Sequence, residues 1–210
     1  MIKVKDNMTI LFMGDSITDW NRNMANPLGW GFPLMVSALL GAKHPVLTFN
    51  FINKGIGGDK TSDILNRLDT DCLKHNPDVI IMLAGINDCL HSLFSGEEKI
   101  SPSVIKENLC KIIDKIKEKE IILLEPFLFV NSNKWTNPWV LEEKWIEENL
   151  IPVQKVVRDV ASKYNTYFIP LGEIFGDLCQ YGPDKWTMEG CHPTIIGHGV
   201  ITDKILELFY

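Results

Sequence analysis

The sequence predicts an α/β fold built on a five-stranded parallel sheet with helices on both faces. Two observations carry that reading. Short, almost wholly apolar runs recur along the chain, as expected for strands covered on both sides. Between them the apolar residues change to helical spacing, and such alternation implies parallel strands joined by crossover helices.

Five runs read as strands: Met8 to Met13 ("MTILFM"), Val46 to Asn53 ("VLTFNFIN"), Asp78 to Gly85 ("DVIIMLAG"), Glu120 to Phe127 ("EIILLEPF") and Thr166 to Pro170 ("TYFIP"). Ile105, Leu109, Ile112 and Ile116 repeat at helix spacing after the start signal Ser101–Pro102. Ile146, Val153, Val156 and Val160 mark a helix within Pro138 to Lys163, with a bend or restart expected at Pro152. Ile201, Ile205 and Leu208 mark the last one. There is no internal repeat and no Pro/Gly/Ser linker, so residues 1–210 are expected to form one domain.

Composition narrows the function. The 210 residues carry a net charge of −6 and no basic block, which argues against nucleic acid as a partner. No run approaches the roughly 20 apolar residues of a membrane span. The apolar run near the N-terminus is too short for a secretory signal. Five cysteines without a CxxC pair are read as free thiols in a reducing cytoplasm, and neither zinc nor another cofactor is expected.

Ligands of parallel sheets bind beyond the carboxyl ends of the strands. There the sequence places "GDSITDW" (Gly14 to Trp20), "NKGIGGDKTSD" (Asn53 to Asp63) and "AGINDCL" (Ala84 to Leu90), while "KWTMEGCHPTIIGH" (Lys185 to His198) lies near the C-terminus. Each offers one part of an acyl-transfer site. Ser16 supplies a hydroxyl that needs a base to become a nucleophile. His192 titrates near neutrality and can be that base. Glu189, three residues earlier, can hold the imidazole by its other nitrogen. The turn at Gly55, Gly57 and Gly58 lets backbone N–H groups approach a substrate, and Asn87 is a neutral donor. Trp20 and Trp186 flank the segments as candidate walls of an acyl or sugar pocket.

Other readings of these residues stand beside this one. Ser16 suits a helix N-cap, Asn87 a turn, and His192 an exposed loop. Asp15 and Asp88 are expected to hold loops by accepting backbone N–H bonds. His198 is expected to be structural, and His44, His75 and His91 to face solvent. Trp135, Trp139 and Trp145 are read as packing or as a lid formed by Asn131 to Trp145. Asp184 is a rival to Glu189.

Together, GDS at Ser16, glycine before Asp59, GxND at Gly85 to Asp88 and HP at His192 resemble the blocks of the SGNH, or GDSL-type, hydrolases. The resemblance spans nearly the whole chain. It implies a flavodoxin-like three-layer α/β/α sandwich and a serine esterase that needs no metal. It also implies Ser16 as nucleophile, His192 as base, and the Ser16 N–H, Gly58 N–H and Asn87 side chain as the oxyanion hole. The family usually carries aspartate where this chain has Glu189. The implied substrate is a small ester, with acetyl groups on carbohydrate as the leading expectation. The alternatives are a lysophospholipase or thioesterase, an acetyl transferase, or a non-catalytic carbohydrate-binding protein on the same fold. A nucleotide-binding reading lacks a P-loop, since "GIGGDKTS" has no Gly-Lys-Ser/Thr at the required spacing.

Overall fold

The computed structural model describes residues 1–130 and 142–210, apart from the Phe94 side chain. Five strands form one sheet: β1 (Met8–Gly14), β2 (Phe49–Gly55), β3 (Val79–Leu83), β4 (Glu120–Leu124) and β5 (Tyr167–Ile169). Their order is β2-β1-β3-β4-β5, and every neighbouring pair is parallel. The helices are α1 (Ser16–Asp19), α2 (Phe32–Lys43), α3 (Thr61–Asn66), α4 (Leu68–Asp71), α5 (Ile86–Ser95), α6 (Pro102–Ile116), α7 (Glu143–Tyr164), α8 (Leu171–Cys179) and α9 (Ile195–Leu206). They cover both faces of the sheet, with α2 packed on α9, and α6 packed on α3 and α7. This is the α/β sandwich expected from the alternating pattern.

The central strands explain the apolar runs. Every residue of β3 is buried, and so is nearly all of β1. A fully buried Ile or Leu of this kind contributes about 1.5–3 kcal/mol through loss of apolar surface to water. β2 departs from expectation. It begins at Phe49 rather than Val46, which is exposed, and it is only half-buried because it forms the sheet edge. β4 stops at Leu124, short of the expected Phe127.

The long helix α7 also departs from expectation. Pro152 lies inside it without interrupting it. Proline lacks the N–H that would bond to the carbonyl four residues back. That carbonyl belongs to Glu148, and the Lys99 ammonium donates to it at 3.0 Å. A side chain thus replaces the missing backbone donor. The helix begins at Glu143, and Pro138 lies outside the described residues.

Strand order positions the site. The chain leaves β1 on one side for β2 and crosses to the other for β3, so a crevice opens beyond the end of β1. Gly14 is in register with both Gly55 and Leu83. The segments that follow these three residues therefore emerge side by side on one rim. No helix among the described residues is long and apolar enough to cross a membrane.

Candidate active site

β1 runs directly into the short helix α1. The cap of α1 is Asp15, whose Oδ1 accepts the Ile17 N–H at 3.0 Å. Ser16 is the first helical residue, so its hydroxyl is not used as the cap. Instead, Ser16 Oγ lies 2.8 Å from His192 Nε2. Asp15 is fully buried, and burial pushes its carboxyl up to about 7 despite the Ile17 N–H that holds it down. Helix α1 ends at Trp20, a non-glycine residue in the left-handed region with φ 37° and ψ 60°. That conformation is uncommon for a bulky side chain. It sets the indole 5.9 Å from the His192 ring and 4.4 Å from the His198 ring, centroid to centroid.

The loop before α9 folds back on itself. Thr187 bridges to Pro193, and the Met188 N–H donates to the His192 carbonyl at 2.8 Å. Gly190 turns the chain at φ 97°, and a side chain there would collide with the Phe129 carbonyl. The turn brings Glu189 onto His192 twice: Oε1 accepts the His192 backbone N–H at 3.0 Å and contacts the ring Nδ1. With Nδ1–H donating to the carboxylate, Nε2 is the free acceptor, and it faces Ser16. Burial pulls the His192 imidazole down, but the Glu189 hydrogen bond and charge outweigh it, so the net direction is up from 6.5. Asp184 is exposed in the turn Pro183–Lys185.

Glu189, Cys191 and His192 place ligand atoms within 4.8 Å of one another, a spacing that could suit a metal. Both ring nitrogens of His192 are already engaged, by Ser16 and Glu189. Burial also pushes the Cys191 thiol well above its ordinary range. A carboxylate–imidazole–hydroxyl relay accounts for these contacts directly.

Opposite the histidine stand the other two segments. Gly58 has φ +85°, and a Cβ there would meet nothing within 4 Å, so the turn faces open space. A Cβ on Gly57 would lie 3.8 Å from Ser16 Cβ, which puts the turn against the serine. Asn87, in the first turn of α5, donates to the Asp59 carbonyl at 3.1 Å. Asp88 accepts from the Thr61 N–H at 2.9 Å and from its hydroxyl at 2.6 Å, and Asn108 donates to the same hydroxyl at 3.1 Å. A pocket of about 380 Å³ opens here, lined by Gly58, Lys60, Asn87, His91 and Ser95.

The remaining candidates fall outside this constellation, except that His91 lines its pocket. The Trp186 ring packs on the core beneath the Lys185 ammonium, 4.6 Å from its centroid. His198 is buried, and its Nδ1 accepts the Phe32 N–H at 3.1 Å. His44, His75 and His91 are half-buried rather than solvent-facing, and His91 pairs with Glu97 at 2.8 Å. Trp145 is half-buried against the core, while Trp135, Trp139 and most of the segment from Asn131 to Trp145 lie outside the described residues. Arg67, Thr61 and Asn108 tie the rim together, and no sequence motif singles them out. The visible signal for Thr61 and Arg67 is a polar stretch close behind the glycine turn, whereas Asn108 comes from α6 and gives none.

A serine hydroxyl, an imidazole and a carboxylate in a line, on the rim of a parallel sheet, define a serine hydrolase. Residues 12–200 match the model of the GDSL-like lipase/acylhydrolase family. An acetylxylan esterase from Geobacillus stearothermophilus is 27% identical over 220 residues, spanning 98% of this chain and 95% of that protein. The crystal structure of Axe2, an acetylxylan esterase from the same organism, superposes with a TM-score of 0.85 at 26% identity, covering 98% of this chain and 95% of that one. A structure described as a GDSL-like lipase, from Parabacteroides merdae, gives 0.85 at 27% identity, covering 97% and 96%. The chain belongs to the GDSL-like lipase/acylhydrolase family and is a serine carboxylic ester hydrolase.

Proposed function

We propose that this esterase removes short acyl groups, acetyl above all, from the hydroxyls of a carbohydrate, with Ser16, His192 and Glu189 as its catalytic residues. The observation that carries the reading is the 2.8 Å contact between Ser16 Oγ and His192 Nε2, with Glu189 on the opposite ring nitrogen. Ser16 attacks the ester carbonyl while His192 takes its proton. Glu189 stabilises the imidazolium that forms. The Ser16 N–H, the Gly58 N–H and the Asn87 amide receive the oxyanion. His192 then protonates the leaving alcohol, and water hydrolyses the acyl-enzyme by the same steps in reverse roles.

The acetylated-carbohydrate part of the reading rests on the acetylxylan esterases to which the chain is similar over nearly its full length. Trp20 supports it, because an indole beside the base offers a flat apolar face of the kind that covers a sugar ring. The free thiols Cys72, Cys89, Cys110, Cys179 and Cys191 suit a reducing, cytoplasmic setting.

The test is a series of p-nitrophenyl esters from acetyl to palmitoyl, followed by acetylated xylooligosaccharides. Expected are a steep fall of kcat/KM beyond short acyl chains, release of acetate from the oligosaccharides, and no turnover in Ser16→Ala at an unchanged thermal transition. A rise from butyryl to palmitoyl would point instead to a lysophospholipase or thioesterase.

A further inference from the structure

We propose that Arg67 is a positioning residue for the reaction: its guanidinium locks the Gly57–Asp59 turn and the end of β1 together, fixing the oxyanion hole against the nucleophile. The proposal rests on the hole assigned above to Ser16, Gly58 and Asn87.

Arg67 stands where α3 gives way to α4, with φ −102° and ψ 7°. The break turns its side chain inward, and only 13% of it remains accessible. Its Nε donates to Asp59 Oδ2 at 2.6 Å. Its Nη2 donates to the Gly14 carbonyl at 3.1 Å, and its Nη1 to Asp71 Oδ2 at 3.1 Å. A planar, permanently charged fork can serve three such partners at once, where an ammonium acts as a point charge.

The partners are what matter. Gly14 is the last residue of β1, two before Ser16. Asp59 follows Gly58, and its carbonyl is the one that holds the Asn87 amide. A single cation therefore touches the strand that presents the nucleophile and the residue that joins both other donors of the hole. Asp59 is just as enclosed, with 12% of its side chain accessible, so it depends on this partner. Burial raises its carboxyl while the Arg67 bond holds it down. Loss of Arg67 would leave a buried carboxylate uncompensated, and the turn would move to solvate it. A shift of about 1 Å in such a donor costs on the order of 10²-fold in rate.

An arginine that merely stabilised the fold would lower the thermal transition and leave the kinetics of the folded fraction alone. A double-mutant cycle separates the two roles. Active-site titration gives the folded, active fraction, and kcat and KM are then measured with p-nitrophenyl acetate. Arg67→Met is expected to lower kcat by roughly 10–100-fold with KM changed by less than about threefold. Asn87→Ala alone is expected to lower kcat by about 10²–10³-fold. In the Asn87→Ala background, Arg67→Met should cost clearly less than it does in the otherwise wild-type enzyme, because one of the two donors it positions is already gone. Arg67→Lys should recover part of the loss by holding Asp59 without spanning to Gly14. If Arg67→Met does not fold, Asp59→Asn takes its place in the cycle, with the same non-additivity expected. Independent, multiplying effects of the two substitutions would overturn the proposal, as would wild-type kcat in Arg67→Met or in Asp59→Asn. Wild-type kcat in Asn87→Ala alone would sink the hole assignment itself, a failure visible before Arg67 is touched.

Discussion

His192 lies in the loop just before α9 and His198 in its first turn, and both lie against Trp20. Their electrostatics run in opposite directions. The His192 imidazole is held above its ordinary value, whereas that of His198 is lowered to about 3. Burial pulls both rings down, so burial is not the difference. The difference is what meets Nδ1. In His192 it is the Glu189 carboxylate, which favours the protonated ring. In His198 it is the Phe32 backbone N–H, which demands a lone pair and so favours the neutral ring. The nearby His192 charge lowers His198 further. One contact per ring separates a base from a core residue.

The comparison breaks most visibly if the carboxylate is removed. Glu189→Gln keeps the shape but gives His192 a neutral partner, as His198 has. It is expected to lower kcat by up to about 10⁴-fold, the scale seen when the acid of a serine-protease triad is made an amide. Glu189→Asp should retain more activity than Glu189→Gln, limited by reach. Asp184→Asn should stay near wild type, because the contact at Nδ1 comes from Glu189. Near-full activity in Glu189→Gln with loss in Asp184→Asn would transfer the role to Asp184.

A smaller effect follows from pH. The base works only when neutral, so kcat/KM should fall about tenfold per unit below the His192 pKa. That pKa is raised, so the midpoint of the acid limb should lie above 6.5 in the wild type. In Glu189→Gln the residual activity should show a limb displaced to lower pH, since the charge that raised the value is gone. Identical midpoints in the two proteins would show that Glu189 does not set the base.

Much of this contrast was legible in the sequence, and some was not. The apolar runs of β1, β3 and β4 announced a parallel sheet because central strands are buried on both faces. The edge strand β2 misled at Val46 because an edge tolerates exposed apolar residues as readily as polar ones. The motifs at Ser16, Gly58, Asn87 and His192 stood out because each follows a strand or precedes a helix. The partners of those motifs did not stand out. Arg67 reads as an ordinary helix arginine until folding sets Gly14 and Asp59 beside it. His198 was recognisable as structural from its place on α9, but its Phe32 bond joins residues far apart in the chain. The role of Pro152 was hidden for the same reason, since the Lys99 donor that relieves it comes from the loop between α5 and α6.

The smallest effect on rate, and the sharpest test of the second histidine, comes from His198→Asn. An asparagine oxygen can take the place of Nδ1 as acceptor for the Phe32 N–H, but the side chain is smaller and leaves a gap beside Trp20. The variant is expected to keep kcat within about threefold, because His198 touches no reacting group, and to lose about 1–3 kcal/mol of stability at pH 7. The pH dependence carries the argument. Folded His198 has its pKa lowered from 6.5 to about 3. Above 6.5 the ring is neutral in both folded and unfolded chains and contributes no pH dependence. Between 6.5 and about 3 the unfolded chain binds a proton that the folded chain refuses. The wild type therefore loses stability as pH falls, by at most about 1.4 kcal/mol per unit. Asparagine cannot titrate, so the variant escapes that loss. Urea melts at pH 7 and pH 5 should show the gap between the two proteins narrowing at the lower pH. His192 titrates in both and largely cancels from the difference. A gap that stayed constant would mean that His198 accepts its proton while folded, and that its contrast with His192 is one of position and not of charge.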